Sequence, residues 1–271
     1  MIDAHHHVWD PADEGQSWLD DPALGGIRRV YTAADLRAVA PAEITATVLV
    51  QTLNTTAETE RLLAVPAPVV AVVGWADLTA AGIGDELDRL RSRLGRLAGI
   101  RHLAQDEPDA GWLARPDVGR GLAAVASRGL VYDLLVRGPQ REAALVAARN
   151  SPDVAFVLDH AGKPAIRDGE WEPWASWIAE LAMLPNVTCK LSGLLTEAAP
   201  GADAAALRPY AEQVLLSFGP DRVMFGSDWP VCELAGGYPA VWETTRVFLE
   251  QLTGAERAAV LGTTAERVYA L

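Results

Sequence analysis

A chain of 271 residues, half of them hydrophobic, is long enough for a large buried core, and α/β barrels reach this length as one unit. The formal charge of −13 repels polyanions and no stripe of Lys and Arg with interleaved aromatics offsets it locally, which excludes nucleic acid as a partner. Cys189 and Cys232 lie far apart without CxxC spacing, and the most apolar stretch, Leu62 to Ala76, is broken by Pro66 and Pro68, so neither a disulfide framework nor a membrane span is expected and a soluble cytoplasmic protein fits.

The 17 prolines and 23 glycines are scattered, and no linker, charge block or low-complexity tract marks a boundary, so residues 1–271 read as one domain. Apolar, β-branched runs alternate with segments of helical period, the signature of βα units around a parallel sheet. The first strand is expected at Ile2 to Val8 and the second at Thr45 to Gln51. "TTAETERLLAV" then starts a helix at Thr55 or Thr56, with hydroxyl caps ahead of an acidic first turn. After a third strand at Val69 to Ala76, "GDELDRLRSRLG" sets Leu87, Leu90 and Leu94 on one stripe. A fourth strand at Gly99 to Leu103 and a fifth at Leu130 to Val136 precede "PQREAALVAARN", which begins with a proline suited to a first helical turn. The sixth strand, Val154 to His160, leads to "EPWASWIAELAML", where Trp174, Trp177, Ile178 and Leu181 stack as core rather than as a sugar platform. Strands at Val187 to Leu191 and Arg222 to Gly226 bring the count to eight. Eight strands alternating with helices predict an α/β fold, a (β/α)8 TIM barrel, with an open doubly wound sheet as the alternative.

In such barrels chemistry sits at the C-terminal ends of the strands. Three of the five histidines stand together in "MIDAHHHVWD". On a strand His5 and His7 face one way and His6 the other, so His6 is assigned no catalytic role. Strands one and eight are neighbours where a barrel closes, so Asp228 of "MFGSDWPV" is expected to approach both imidazoles. His5, His7 and Asp228 together make a ligand set that Zn²⁺ and similar ions accept. A lone Asp there would instead cap the next helix. His160 in "FVLDHAGKP" ends strand six facing the cleft, whereas Asp159 is expected on the opposite face as a structural residue. Arg101 and His102 in "GIRHL", Lys190 with Ser192 in "CKLSG", and Gln51 close other strands. An arginine fork suits carboxylate or hydroxyl oxygens. Lys190 serves either as a cation aimed into the cleft or as half of a buried salt bridge with Asp133.

Taken in order, "IDAHHHVWD", "VVGWADL", "GIRHLAQDEPD", "LVYDLLVR", "FVLDHAGKP", "VTCKLSGL" and "RVMFGSDWPVCEL" resemble the sugar-lactonase branch of the amidohydrolase superfamily. That branch includes L-fuconolactonases, L-rhamnonolactonases and the pyrone dicarboxylate lactonase. The resemblance runs from residue 2 to the final "ERVYAL". It implies a TIM barrel that hydrolyses a cyclic ester, with His5, His7, His160 and Asp228 at active-site positions. Many metal enzymes of the wider superfamily carry a further bridging residue and two histidines on later strands. Here strand five offers Asp133 and only strand six a histidine, so a two-metal centre is not expected. The branch holds relatives that use one divalent ion and others that use none. His6 stands where the sugar lactonases often have Gln, and Leu53-Asn54 departs from the Arg/Gln-containing loop of the fuconolactonase type, which leaves the particular lactone open.

The expected reaction is attack of water on the carbonyl of an L-fucono-, L-rhamnono- or galactono-type lactone. Asp228 takes the proton and returns it to the departing ring oxygen. His5, His7 and Asp228 hold one divalent ion, zinc by ligand type, with His160 assisting at the oxyanion. Arg101, His102, Lys190 and Gln51 hold the substrate. Two rivals stand beside this reading: metal-dependent non-oxidative decarboxylation of an aromatic acid, and a non-catalytic binding protein on the same fold. Association into a homo-oligomer is left open.

Overall fold

In the computed structural model, which describes residues 1–92 and 96–271, all eight expected strands form. They are β1 (Ile2–His6), β2 (Ala46–Val50), β3 (Val69–Gly74), β4 (Leu97–His102), β5 (Val131–Leu134), β6 (Phe156–Leu158), β7 (Val187–Leu191) and β8 (Val223–Phe225). They build a single sheet in chain order with every neighbouring pair parallel. Helices fill the crossovers, so the architecture is the TIM barrel. Closure happens just past β8: the His7 N–H donates to Trp229 O at 2.7 Å and the Asp228 N–H to His5 O at 2.8 Å.

Alternation along the strands divides the core in two. Ile2, Ala4, Val48, Val73, Val131 and Val157 meet inside the barrel over a floor made by Ala265 and Tyr269. Leu49, Val72, Ile100 and Phe156 point the other way, into a larger layer shared with helix residues such as Leu62, Leu87 and Trp174. The helix Thr56–Leu63 is capped as expected, the Thr55 side chain accepting from the Glu58 N–H. Helix Ile83–Ser92 buries Leu87 and Leu90; Leu94 lies outside the described residues. Pro139 sits in a single 3-10 turn, Gly138–Gln140, ahead of the α-helix Arg141–Asn150. Trp174, Trp177, Ile178 and Leu181 are all buried in helix Trp174–Ala182, which is the core role expected of them. Among the described residues no helix is long and apolar enough to cross a membrane.

Two strand ends differ from the expected pattern, and both differences shape the pocket above. β6 stops at Leu158 rather than His160, because His160 and Ala161 take left-handed backbone at φ 52° and 53°. In β1, Asp3 pairs with Thr47 and His6 with Leu49, so three steps on β1 match two on β2 and one extra residue is accommodated. This bulge sets Ala4 and His5 one after the other on the inner side, where strict alternation would have separated them. Asp3 turns outward and sews the seam: it accepts from the Ser227 N–H at 2.9 Å, the His5 N–H at 3.1 Å and the Tyr238 hydroxyl at 3.1 Å.

Burial raises the Asp3 carboxyl from 3.8 to about 6, against the pull of the donors around it. A folded-state value above the unfolded one contributes stability that is complete below the unfolded value and is lost as pH rises through about 6. Relative to Asp3→Asn, whose amide does not titrate, the metal-free protein should therefore gain about 2 kcal/mol between pH 8 and pH 4. Urea unfolding of both proteins across that range measures it, and a constant difference would contradict the buried carboxyl.

Candidate active site

Three imidazoles and one carboxylate converge at the C-terminal ends of β1, β6 and β8. His5 Nε2 and His7 Nε2 are 3.2 Å apart. Asp228 Oδ1 lies 3.4 Å from His7 Nε2, 3.8 Å from His5 Nε2 and 3.9 Å from His160 Nε2. All four side chains are buried. His6 turns away onto Thr47 Oγ1 at 2.9 Å, as alternation requires.

Each imidazole is held from behind. His7 Nδ1 is 2.8 Å from Val50 O; a carbonyl only accepts, so the ring hydrogen is on Nδ1 and the Nε2 lone pair faces Asp228. His5 Nδ1 is held between Lys190 Nζ at 3.0 Å and Asp159 Oδ1 at 3.2 Å, which fixes the ring with Nε2 turned to the same point. His160 Nδ1 lies 2.9 Å from Ser192 Oγ. Spacings of 3.2, 3.4 and 3.8 Å among the donors of His5, His7 and Asp228 suit an ion with bonds of about 2.0–2.1 Å, whose tetrahedral ligands stand about 3.3 Å apart. The donor atoms of these three residues lie close enough together to hold a divalent metal.

Electrostatics favour the same arrangement. Burial pushes His5 well below the ordinary imidazole value despite Asp159, and brings His160 down to about 4 despite Asp228. Burial opposes charge on Asp228 too, but the imidazoles facing it hold it below the usual carboxylate range. At neutral pH His5 and His160 are thus neutral beside an ionised Asp228, a combination that favours a cation.

Strain marks the same strand ends. Asp228 takes φ 55° and His160 φ 52°, left-handed conformations that are uncommon for residues with a Cβ. Two glycines, passed over in the sequence, make room. A Cβ on Gly226 would lie 2.7 Å from the His5 Cβ, and one on Gly193 would lie 2.8 Å from the His160 ring.

Asp159 corrects an expectation. It follows Val157 to the inner face, and the left-handed backbone at His160 brings that residue to the same side; Asp159 contacts His5, Arg101 Nη1 at 2.9 Å and Lys190 Nζ at 2.9 Å. Against the burial that would raise it, Lys190, His5 and Arg101 hold the Asp159 carboxyl well below its usual range. Lys190 is a second correction. It is fully buried beneath His5, 2.5 Å from Asp133 Oδ2 and 3.0 Å from His5 Nδ1, so the buried ion pair is realised and the cation is not presented to substrate. Gln51 is a third: its Oε1 accepts from Arg101 Nη2 at 3.1 Å and its Nε2 donates to Arg101 O at 3.2 Å, which braces Arg101 and commits the amide to protein partners. Arg101 Nη1 reaches to 3.5 Å from His5 Nε2. His102 stands apart from this centre, stacked on Trp112 at 4.0 Å and bonded to Trp75 Nε1 at 3.0 Å and Glu107 Oε1 at 2.7 Å. The sequence reading also missed Glu58, whose buried carboxylate receives the Thr52 and Leu53 N–H groups and so shapes the loop after Gln51.

With this geometry established, comparison with known proteins is informative. The sequence profile of the amidohydrolase family matches residues 2–271. The L-fucono-1,5-lactonase of Burkholderia multivorans is 38% identical over 287 residues, spanning 100% of this chain and 96% of its own. That of Burkholderia ambifaria is 39% identical over 88% of this chain and 82% of its own. The crystal structure of an amidohydrolase from Burkholderia multivorans with bound zinc aligns at a TM-score of 0.93 and 37% identity, covering 100% of this chain and 99% of that one.

Because Gly226 leaves no room for a methyl group against the His5 Cβ, Gly226→Ala should displace His5 and weaken zinc binding about 10- to 100-fold, the scale of damage to a ligand's support. Calorimetric titration of metal-free protein with zinc checks this, and wild-type affinity would show that the contact is not restrictive.

Proposed function

This chain belongs to the amidohydrolase family, and from that premise we propose that it opens the ring of a sugar-derived lactone by directing water onto the ester carbonyl. The observation that carries the reading is one ionised carboxylate oxygen, Asp228 Oδ1, within 3.9 Å of three imidazole Nε2 atoms in a buried strand-end cluster. The similarity to two L-fucono-1,5-lactonases, over 88% and 100% of this chain, supports the substrate class. L-Fucono-, L-rhamnono- and galactono-type lactones are the candidates, consumed in carbohydrate catabolism. In this reading residues 1–271 act as one catalytic domain in the cytoplasm, where the buried, free Cys189 and Cys232 stay reduced.

Ester hydrolysis needs a base for water, a cradle for the oxyanion and an acid for the leaving alkoxide. Asp228 takes the proton from water through Oδ2, since Oδ1 is turned to the imidazoles, and returns it to the ring oxygen as the C–O bond breaks. His160 donates toward the oxyanion: the Ser192 hydroxyl gives its hydrogen to Nδ1, which puts the ring hydrogen on Nε2, the atom on the Asp228 side. Its low affinity for protons keeps the imidazole neutral, so it stabilises charge without trapping the proton that Asp228 must deliver. His5, His7 and Asp228 would hold one divalent ion, zinc by ligand type, and the chemistry such an ion supplies is Lewis acidity at the carbonyl. Arg101 offers the Nη1 hydrogen that is not bonded to Asp159 to a substrate oxygen from beside His5. His102, in its aromatic box, forms the wall that receives the sugar portion. Lys190 and Gln51 act behind these residues.

Two measurements test the proposal. With a panel of sugar lactones followed by a pH indicator, Asp228→Asn should lower turnover about 10²- to 10⁴-fold while leaving substrate binding nearly intact. Near-normal turnover would remove Asp228 from its role, and release of CO₂ from an aromatic acid without lactone opening would replace the reaction. Metal analysis after reconstitution should find one zinc per chain, lost in His7→Ala; a second equivalent would contradict the single-ion site.

A further inference from the structure

Beneath the imidazoles runs a chain of buried contacts that no step of the reaction uses. Tyr269, on helix Thr264–Tyr269, is buried in the floor of the barrel among Ile2, Val48 and Val131. Its hydroxyl reaches both oxygens of Asp133, at 3.1 and 3.0 Å. Asp133 Oδ2 meets Lys190 Nζ at 2.5 Å, and that ammonium lies 2.9 Å from Asp159 Oδ1 and 3.0 Å from His5 Nδ1. Asp133, Lys190, Asp159 and His5 are all fully buried.

We infer that Tyr269 is a positioning residue for the metal-ligating face of His5, acting from the opposite end of the barrel through Asp133 and Lys190. The inference rests on the reading of His5 as a ligand and extends it to a residue that touches neither ligand nor substrate. Lys190 has to serve two carboxylates, Asp133 and Asp159, all three withdrawn from the protein surface. The Tyr269 hydroxyl supplies Asp133 with a donor of its own. That lets the ammonium sit between the carboxylates, where it and Asp159 together hold the His5 ring at Nδ1 and keep Nε2 turned to the ligand position. Without the hydroxyl, Asp133 must draw its donors from Lys190 alone. The ammonium then moves toward β5, away from Asp159, and the His5 ring loses its fixed orientation. Burial holds the Tyr269 phenol well above its ordinary value, so it remains a donor.

The test is Tyr269→Phe, which keeps the ring that fills the floor and removes only the donor. Zinc affinity of the metal-free protein, measured by competition with a chromophoric chelator, should fall about 10- to 100-fold. The visible spectrum of the cobalt-substituted protein should change, because the ligand geometry at His5 changes. Turnover on a lactone, expressed per zinc-loaded chain, should fall with KM little altered; counting only loaded chains removes the loss of active fraction that general destabilisation of the floor would cause. The losses in Tyr269→Phe and Asp133→Asn should be far from additive in the double variant, since both act on the one Tyr269–Asp133–Lys190 chain. If Tyr269→Phe does not fold, Asp133→Asn alone must show the affinity loss and the spectral change. Wild-type zinc affinity and an unchanged cobalt spectrum in the folded variant overturn the inference. An affinity loss in a protein that opens no lactone upholds it and rejects the substrate reading instead.

Discussion

Everything at the active end of this barrel depends on the seam between β1 and β8. Two backbone hydrogen bonds make it, from the Asp228 N–H to His5 O and from the His7 N–H to Trp229 O, at 2.8 and 2.7 Å. They tie the residue carrying the carboxylate to the strand carrying the imidazoles across more than two hundred positions of chain. A parallel pairing of this kind also fixes direction: Asp228 takes left-handed backbone in order to donate along the seam and turn its side chain back over the pocket. The strain is affordable because Asp3 secures the same junction from the outer side, receiving N–H groups from both Ser227 and His5.

Below the seam the problem is charge. The barrel interior encloses two cations, Lys190 and Arg101, and two carboxylates, Asp133 and Asp159, all essentially withdrawn from water. Buried ion pairs of this kind are poor sources of stability, because desolvation offsets most of their attraction. Their value here is orientation. Asp159 is the point where the network meets the site: Arg101 and Lys190 keep it ionised, and it in turn holds the His5 ring. Above it the surroundings have the opposite effect, since burial keeps the His5 and His160 imidazoles neutral while Asp228 stays charged. A base and a cation site are thereby available together at neutral pH.

Much of the fold is written in local pattern. The eight strands appear within a few residues of where β-branched runs end in polar residues, and the Trp174–Ala182 helix shows its buried stripe in its spacing. The main site residues follow from the same rule, since the period of two separates His5 and His7 from His6 and the barrel order brings Asp228 beside them. His160 and His5 reach the pocket where the backbone leaves that period, at the left-handed turn after β6 and at the β1 bulge, whereas Asp159 and Lys190 keep the inward face that alternation gives them beside Leu158 and Cys189. Gly193 and Gly226 gave no local sign, because a glycine that admits a neighbouring ring differs from any other only once the neighbour is known.

The amino-acid sequence by itself determined the number and order of strands, the face on which each strand-end residue begins, and the donor types offered for a cation. These are properties of residues a few positions apart. Only the tertiary structure decided which of the buried charges meet one another, which side chains face substrate and which brace a neighbour, and that Tyr269 reaches Asp133 from 136 positions away. Those outcomes depend on distances between strands, on one extra residue in β1 and on backbone dihedrals at two strand ends, none of which a periodic pattern encodes.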